Sequence, residues 1–197
     1  MKTVAFVLRS GGVYTAEDVE RLAAGVREHL PGARIVCLSD CPVPVECIPL
    51  AHDWPGWWAK MELFRPELAT HDWLYMDLDT IVTGSLAELA AIDELAIMRD
   101  VYRPNGLQSA VMCLPSADRT AVWDDWFRGP TRRMKDHWSG GDQAYLETHY
   151  LSRALRLQEC LPGQIVSYKA DPPSARAASR LVVFHGKPKP RDVNWML

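Results

Sequence analysis

Trp73-Leu74-Tyr75-Met76-Asp77-Leu78-Asp79-Thr80-Ile81-Val82-Thr83-Gly84 is the stretch whose reading decides the fold class. Four apolar residues in a row at its start fit a strand buried on both faces, the pattern of a largely parallel sheet covered by helices. Polar groups at the carboxyl end of such a strand stand where open α/β sheets bind ligands. Alternate residues of a strand point the same way and rise about 6.6 Å over two steps, so Asp77 and Asp79 can converge on one hard divalent cation. An Asp-x-Asp pair also arises by chance, so its surroundings have to decide.

Working outward, residues 3–8 form a short apolar run that ends in Arg9-Ser10-Gly11-Gly12, a buried strand emptying into a flexible loop. Thr15 with Asp18 three residues on resembles a capping box. Val19, Leu22, Ala23, Val26 and Leu30 then recur on one helical face until Pro31-Gly32 stops it. Residues 35–38 read as a second strand, and the Pro-rich 41–49 as a loop or edge segment, because proline cannot sit in a central ladder. Residues 57–64 carry helix formers between Pro55-Gly56 and Pro66.

Beyond Gly84 the expected elements are a short helix from Ser85 through Ile92, a strand at 95–98 ending in Arg99-Asp100, and a strand at 109–114. A helix at 121–127 follows, then one opened by Asp142-Gln143 and running to Tyr150, and a last strand at 181–184. That strand empties into His185-Gly186-Lys187-Pro188-Lys189-Pro190-Arg191. The alternation predicts an α/β fold with a mixed, mostly parallel sheet flanked by helices.

With 197 residues and 48% hydrophobic content, the chain can bury a sizeable core and reads as one domain over 1–197. A net charge of −3 gives no general electrostatic reason to bind nucleic acid, and it is too small to favour disorder. The five cysteines are an odd number, and Cys37 and Cys113 lie in apolar runs, which points to buried reduced thiols rather than a disulfide framework. Cys37, Cys41 and Cys47 lack a second Cys/His pair at zinc-finger spacing. No long apolar segment occurs, so a soluble cytoplasmic protein is expected.

Three strands therefore end in chemistry: the Ser/Gly loop at 9–12, the carboxylates at 77 and 79, and a histidine with three cations at 185–191. Parallel strands would bring these ends together. Two carboxylates and an imidazole suit Mn²⁺, with Mg²⁺ as the alternative, and a phosphate or diphosphate would complete the coordination. Nearby lysines and an arginine would neutralise the remaining phosphate charge. The combination reads as a metal-dependent phosphate or nucleotide site.

Leu74-Tyr75-Met76-Asp77-Leu78-Asp79-Thr80-Ile81-Val82, with its surroundings in order, resembles the nucleotide-sugar-dependent glycosyltransferases of the GT-A fold, especially the retaining glycogenin and lipopolysaccharide galactosyltransferase group. The resemblance covers most of the chain and implies a single-domain, Rossmann-like GT-A architecture. It implies Asp77, Asp79 and His185 as metal ligands, with Asp77 also contacting the donor, and Lys60 near the donor sugar and phosphates. Arg9, Ser10 and Tyr14 correspond to the loop that holds base and ribose, and Asp100 to an acidic contact of the donor sugar. Gln108-Ser109-Ala110 stands where that family has Asn-Ser-Gly or Asn-Ala-Gly, so Gln108 replaces its asparagine and Ala110 its glycine. Asp142-Gln143 matches the pair facing the anomeric carbon. Gly186 follows His185 directly and Arg191 replaces a tryptophan, which shortens the phosphate loop; Lys189-Pro190 matches the family's Lys-Pro pair, with Lys187 a rival.

The expected activity is transfer of a sugar from a nucleoside diphosphate donor, a UDP-sugar in the first instance, to an acceptor hydroxyl with retention. The acceptor is left open among glycan, lipid, protein and modified nucleic acid. Trp54, Trp57, Trp58, Trp123, Trp126 and Trp138 read mainly as core with stacking platforms among them, and Arg128, Arg132, Arg133 and Lys135 as a basic stretch. Two rivals stand beside this reading. One is a catalytically silent nucleotide-sugar binding module. The other is a haloacid-dehalogenase-like phosphatase, against which Thr80 comes one residue too early for that group's Asp-x-Asp-x-Thr.

Overall fold

The computed structural model describes residues 3–193. In chain order the elements are β1 (Thr3–Leu8), α1 (Ala16–His29), β2 (Ile35–Ser39), β3 (Glu46–Pro49), β4 (Trp73–Met76), β5 (Thr80–Val82) and α2 (Ala87–Ala90). Next come β6 (Ala96–Arg99), β7 (Leu107–Leu114), α3 (Thr120–Phe127), α4 (Pro130–Asp136) and α5 (Gly141–Tyr150). The chain continues through β8 (Leu155–Arg156), α6 (Leu157–Cys160), β9 (Ile165–Ser167), α7 (Pro173–Ala178) and β10 (Leu181–Val183).

Seven strands form the main sheet in the order β3-β2-β1-β4-β7-β6-β8. β1 runs parallel to β2 and β4, β2 to β3 and β6 to β8, while β7 is antiparallel to both its neighbours. The sheet is mixed and mostly parallel, as the apolar run of β4 implies, and every residue of β4 is buried. The Pro-rich segment ends in β3, an edge strand, where a missing N–H costs least. Val19, Leu22, Ala23 and Val26 of α1 are buried as the periodicity demands, and the Thr15 N–H donates to Asp18 Oδ2 at 3.0 Å to start the helix. A Cβ on Gly25 would lie 3.1 Å from the Val82 Cβ, so the glycine lets α1 settle closely on β5.

Two expectations are corrected. Gly56–Phe64 is a 3₁₀ helix, not an α-helix, and all seven residues from Trp58 to Phe64 are buried. A segment enclosed on every side has no amphipathic stripe to announce its winding. The last strand, β10, does not join β1 and β4 in the main sheet. It lies between β5, to which it is antiparallel, and β9, to which it is parallel. What brings its end to the acidic turn is a backbone bond, from the Phe184 N–H to the Asp79 carbonyl at 2.9 Å. The small sheet shares one apolar core with the main sheet, in which Leu181, Val183, Ile165 and Val82 meet Leu74, Met76 and α1.

None of the five cysteines is in a disulfide, and Cys37 and Cys113 are buried as expected. Among the described residues no helix is long and apolar enough to cross a membrane.

Candidate active site

After β4 the chain makes a tight turn. The Asp77 N–H donates to the Ala110 carbonyl of β7 at 2.8 Å, and the Thr80 N–H donates back to the Asp77 carbonyl at 3.0 Å. Arg21 of α1 closes the turn from below, one guanidinium nitrogen donating to the Thr80 carbonyl at 3.0 Å and another to the Leu78 carbonyl. The turn displays the two carboxylates toward two different cations.

On the Asp77 side, Lys60 Nζ lies 3.0 Å from Asp77 Oδ1 and 2.7 Å from Asp142 Oδ2, and it donates to Ser109 Oγ at 3.0 Å. Ser109 Oγ in turn donates to Asp142 Oδ2 at 2.6 Å, and the Tyr75 hydroxyl donates to Asp77 Oδ1 at 2.5 Å. Burial alone would lower the Lys60 pKa, but Asp142 and Asp77 outweigh it and hold the ammonium above its ordinary value. Burial, then the Asp77 charge, drives the Tyr75 hydroxyl well above its usual range. This half of the site is a hydrogen-bonded charge cluster in which Lys60 and Asp142 are buried and Asp77 is partly exposed.

On the other side, Asp79 Oδ2 accepts from the Tyr14 hydroxyl at 2.7 Å and from Lys189 Nζ at 2.8 Å. Lys189 also donates to the Tyr14 hydroxyl and stands 4.7 Å over the Tyr14 ring. Burial and the neighbouring Asp77 charge raise the Asp79 pKa, against the pull of Lys189 and Tyr14. Lys187 is exposed, which decides between the two lysines in favour of Lys189 as the one that reaches the acidic pair.

Around these halves stand the other expected residues. The Gln143 amide donates to Asp100 Oδ2 at 2.8 Å. Burial pulls the Asp100 pKa upward, but hydrogen bonds from the Tyr102 N–H and Arg103 leave it below its ordinary value. Gln108 is buried, with its side-chain oxygen unpartnered among the described residues. Arg9 and Ser10 face Asp40, at 2.8 Å from Arg9 and 2.7 Å from both the Ser10 N–H and Ser10 hydroxyl; Arg9 also pairs with Asp53.

His185 stands apart. Its Nε2 shares a 2.6 Å hydrogen bond with Ser167 Oγ of β9, and its ring meets Tyr102 edge-on at 5.3 Å. Burial first, then Lys169, lowers its pKa. Gly186 turns the chain away with φ +75°, a conformation that suits glycine. Among the described residues no three His, Cys, Asp or Glu side chains lie close enough together to hold an ion, so the expected three-ligand set is not assembled in this arrangement. The carboxylate pair itself fits a hard cation: two neighbouring oxygen ligands, with the Asp79 pKa raised by burial first and then by the charge of Asp77.

Three residues at the site escape the motif reading. Tyr75 is on β4 and Asp77 just past its end, two residues on, so the strand's period of two turns both side chains the same way and the hydroxyl meets the carboxylate. Asp40 follows β2, a strand end like those already singled out. Arg21 carries no such mark. Replacing it with methionine is expected to cost about 1–3 kcal/mol, the range for removing charge-assisted donors from buried carbonyls. Urea unfolding of Arg21→Met checks this, and an unchanged midpoint would remove the clamp from the account.

No family model matches the chain and no curated protein matches it in sequence. Among solved structures it is similar to the bifunctional glycosyltransferase WbbM, with TM-score 0.69 and 15% identity over 96% of this chain and 46% of that one. It is similar to the glycosyltransferase GlyE of Streptococcus pneumoniae TIGR4, with TM-score 0.65 and 17% identity over 99% and 56%. It is also similar to the galactosyltransferase LgtC in complex with donor and acceptor sugar analogues, with TM-score 0.67 and 13% identity over 95% and 88%. The chain thus spans about half the length of WbbM and GlyE and most of LgtC. At these identities the likeness shows a shared GT-A-like fold.

Proposed function

We propose that residues 1–197 form a metal-dependent glycosyltransferase domain that moves a sugar from a nucleoside diphosphate, a UDP-sugar in the first instance, to an acceptor hydroxyl with retention. The observation that carries this is the acidic turn. It sets two neighbouring carboxylates at the end of β4, with Lys60 bonded to one and Lys189 to the other. The glycosyltransferase neighbours in fold support it.

Asp77 and Asp79 would hold the divalent cation, Mn²⁺ or Mg²⁺, and His185 would join them only on leaving its hydrogen bond with Ser167. When bound, such an ion supplies Lewis-acid neutralisation of a diphosphate. The protein's own groups do the rest. Tyr14 packs on the diphosphate half, and Lys189 supplies positive charge where the leaving diphosphate gathers negative charge, so it stabilises the transition state more than the intact donor. Lys60 and Ser109 hold Asp142 in place, at 2.7 and 2.6 Å from its Oδ2, and this carboxylate stabilises the positive charge that builds at the anomeric carbon. Gln143 fixes Asp100 for a hydroxyl of the donor sugar, with Gln108 offering a buried oxygen beside Ser109. The bond from anomeric carbon to phosphate oxygen breaks, the bond to the acceptor oxygen forms, and the acceptor proton passes to the departing phosphate.

Calorimetry with a panel of nucleoside diphosphates, with and without Mn²⁺, tests the reading. UDP is expected to bind in a metal-dependent way, and UDP-sugar is expected to be hydrolysed slowly when no acceptor is present. Absence of any metal-dependent diphosphate binding would sink the donor assignment. Binding without hydrolysis or transfer would identify a silent binding module. Turnover of simple phosphate esters without nucleotide dependence would revive the phosphatase, which has little support while Thr80 is fully buried.

A further inference from the structure

Of the six tryptophans at 54–58, 123–126 and 138, Trp54, Trp58, Trp123 and Trp126 are buried and meet one another and His52 in stacked, tilted and edge-on pairs, as in the stacked 5.3 Å pair of Trp58 with Trp126. Trp57 is 57% exposed. Among the described residues no ring or cation is seated on it, and its place is unusual. Residues i and i+3 of a 3₁₀ helix eclipse one another, so Trp57 projects from Gly56–Phe64 on the same side as Lys60. Its indole rests against Gly141, where a Cβ would lie 2.7 Å from Nε1 and 3.0 Å from Cδ1. Gly141 has φ +62° and immediately precedes Asp142. An open aromatic face is therefore backed by the backbone that presents Asp142.

We propose that Trp57 is the platform for the acceptor and that the acceptor is a saccharide, a pyranose ring laid on the indole. The inference rests on the glycosyltransferase reading and names its second substrate. A pyranose presents a face of C–H bonds and a rim of hydroxyls, which matches an apolar indole face beside a cluster of charged and hydroxyl groups. The position sets the platform apart from the diphosphate, beside the centre where donor sugar and acceptor meet. Trp57 belongs to the Lys60–Asp142 half of the site, while the diphosphate half is built from Asp79, Lys189 and Tyr14 on other elements. A ring stacked there would carry a hydroxyl toward the centre that Asp142 faces.

A saccharide also fits better than a nucleobase. The basic stretch that follows α3 is partly neutralised, since Arg133 pairs with Asp125 at 2.5 Å and Arg132 with Asp136 at 3.4 Å. A strand of nucleic acid would need those charges for its phosphates.

Saturation-transfer NMR on the full chain with UDP and Mn²⁺ tests the proposal, using lactose, maltose, N,N′-diacetylchitobiose and a single-stranded DNA oligonucleotide as probes. At least one saccharide is expected to receive saturation on one face of a ring. Its affinity should fall about tenfold in Trp57→Ala, the scale of one lost stacking contact, and largely return in Trp57→Phe. Calorimetry of UDP with Mn²⁺ on the same samples reports the donor half, and thermal unfolding reports integrity. Equal saccharide affinity in folded Trp57→Ala, or a wild type that binds UDP and only the oligonucleotide, or no saccharide, overturns the platform. A wild type that binds no UDP overturns the glycosyltransferase reading instead.

Discussion

Lys60→Met is expected to lower donor turnover at least about a thousandfold and to destabilise the fold by about 3–5 kcal/mol, the range for removing one partner of a buried ion pair. Lys60 is 5% exposed, and its ammonium touches Asp77, Asp142 and Ser109 at once. Without it Asp142, itself 6% exposed, keeps a hydroxyl donor but no cation, and the like charges of Asp77 and Asp142 face each other across the gap. The loss therefore has a stability part and an orientation part. Arginine should not rescue, because a planar guanidinium cannot occupy a slot shaped for a compact ammonium that bonds three groups. The pH dependence has a definite sign. The carboxylates raise the folded-state pKa of Lys60, so its contribution is fully present below the lysine's ordinary 10.5 and fades only as the pH rises beyond that. Urea unfolding at neutral and alkaline pH, paired with UDP-sugar hydrolysis, checks both parts. A variant within a few-fold of wild type in turnover would remove the cluster from catalysis.

The legible parts of this molecule are those where one element carries its own signal. β4 announces itself by four buried apolar residues, α1 by a stripe and a cap, β3 by the prolines that keep it at an edge. The small sheet announces only β10, by the apolar run at 181–184, and not the strands it pairs with. β5, β9 and β10 have three residues each, too few for a period, and β10 pairs with β5 across about a hundred residues of chain. That gap explains the histidine. The motif places His185 correctly one residue beyond the Phe184–Asp79 backbone bond, yet its imidazole hydrogen-bonds Ser167, which belongs to the unreadable β9. The family resemblance implies Lys60, Asp77, Ser109 and Asp142 separately, and packing makes them one cluster, but Arg21 beneath the turn is an ordinary helix arginine until the turn is seen above it.

Asp79→Ala should separate chemistry from stability in the opposite sense to Lys60→Met. Burial and the Asp77 charge raise the Asp79 pKa, so in the folded state its ionised form is disfavoured relative to a solvated carboxylate, and near neutral pH this disfavour is a cost of folding. Removing the carboxylate relieves that cost and the repulsion of Asp77, while Lys189 loses an ion pair and keeps its contact with Tyr14. The two changes offset, and unfolding of Asp79→Ala should fall within about 1 kcal/mol of wild type, as for a substitution that swaps one modest effect for another. Turnover should nonetheless drop by about a thousandfold or more, since charge neutralisation at a leaving diphosphate is worth several kcal/mol of barrier. Manganese binding in the presence of UDP, followed by electron paramagnetic resonance, should weaken in parallel. Full turnover in a folded Asp79→Ala protein would take the acidic pair out of the mechanism. Lost turnover with intact manganese binding would assign Asp79 to positioning Tyr14 and Lys189, the two groups that share its outer oxygen.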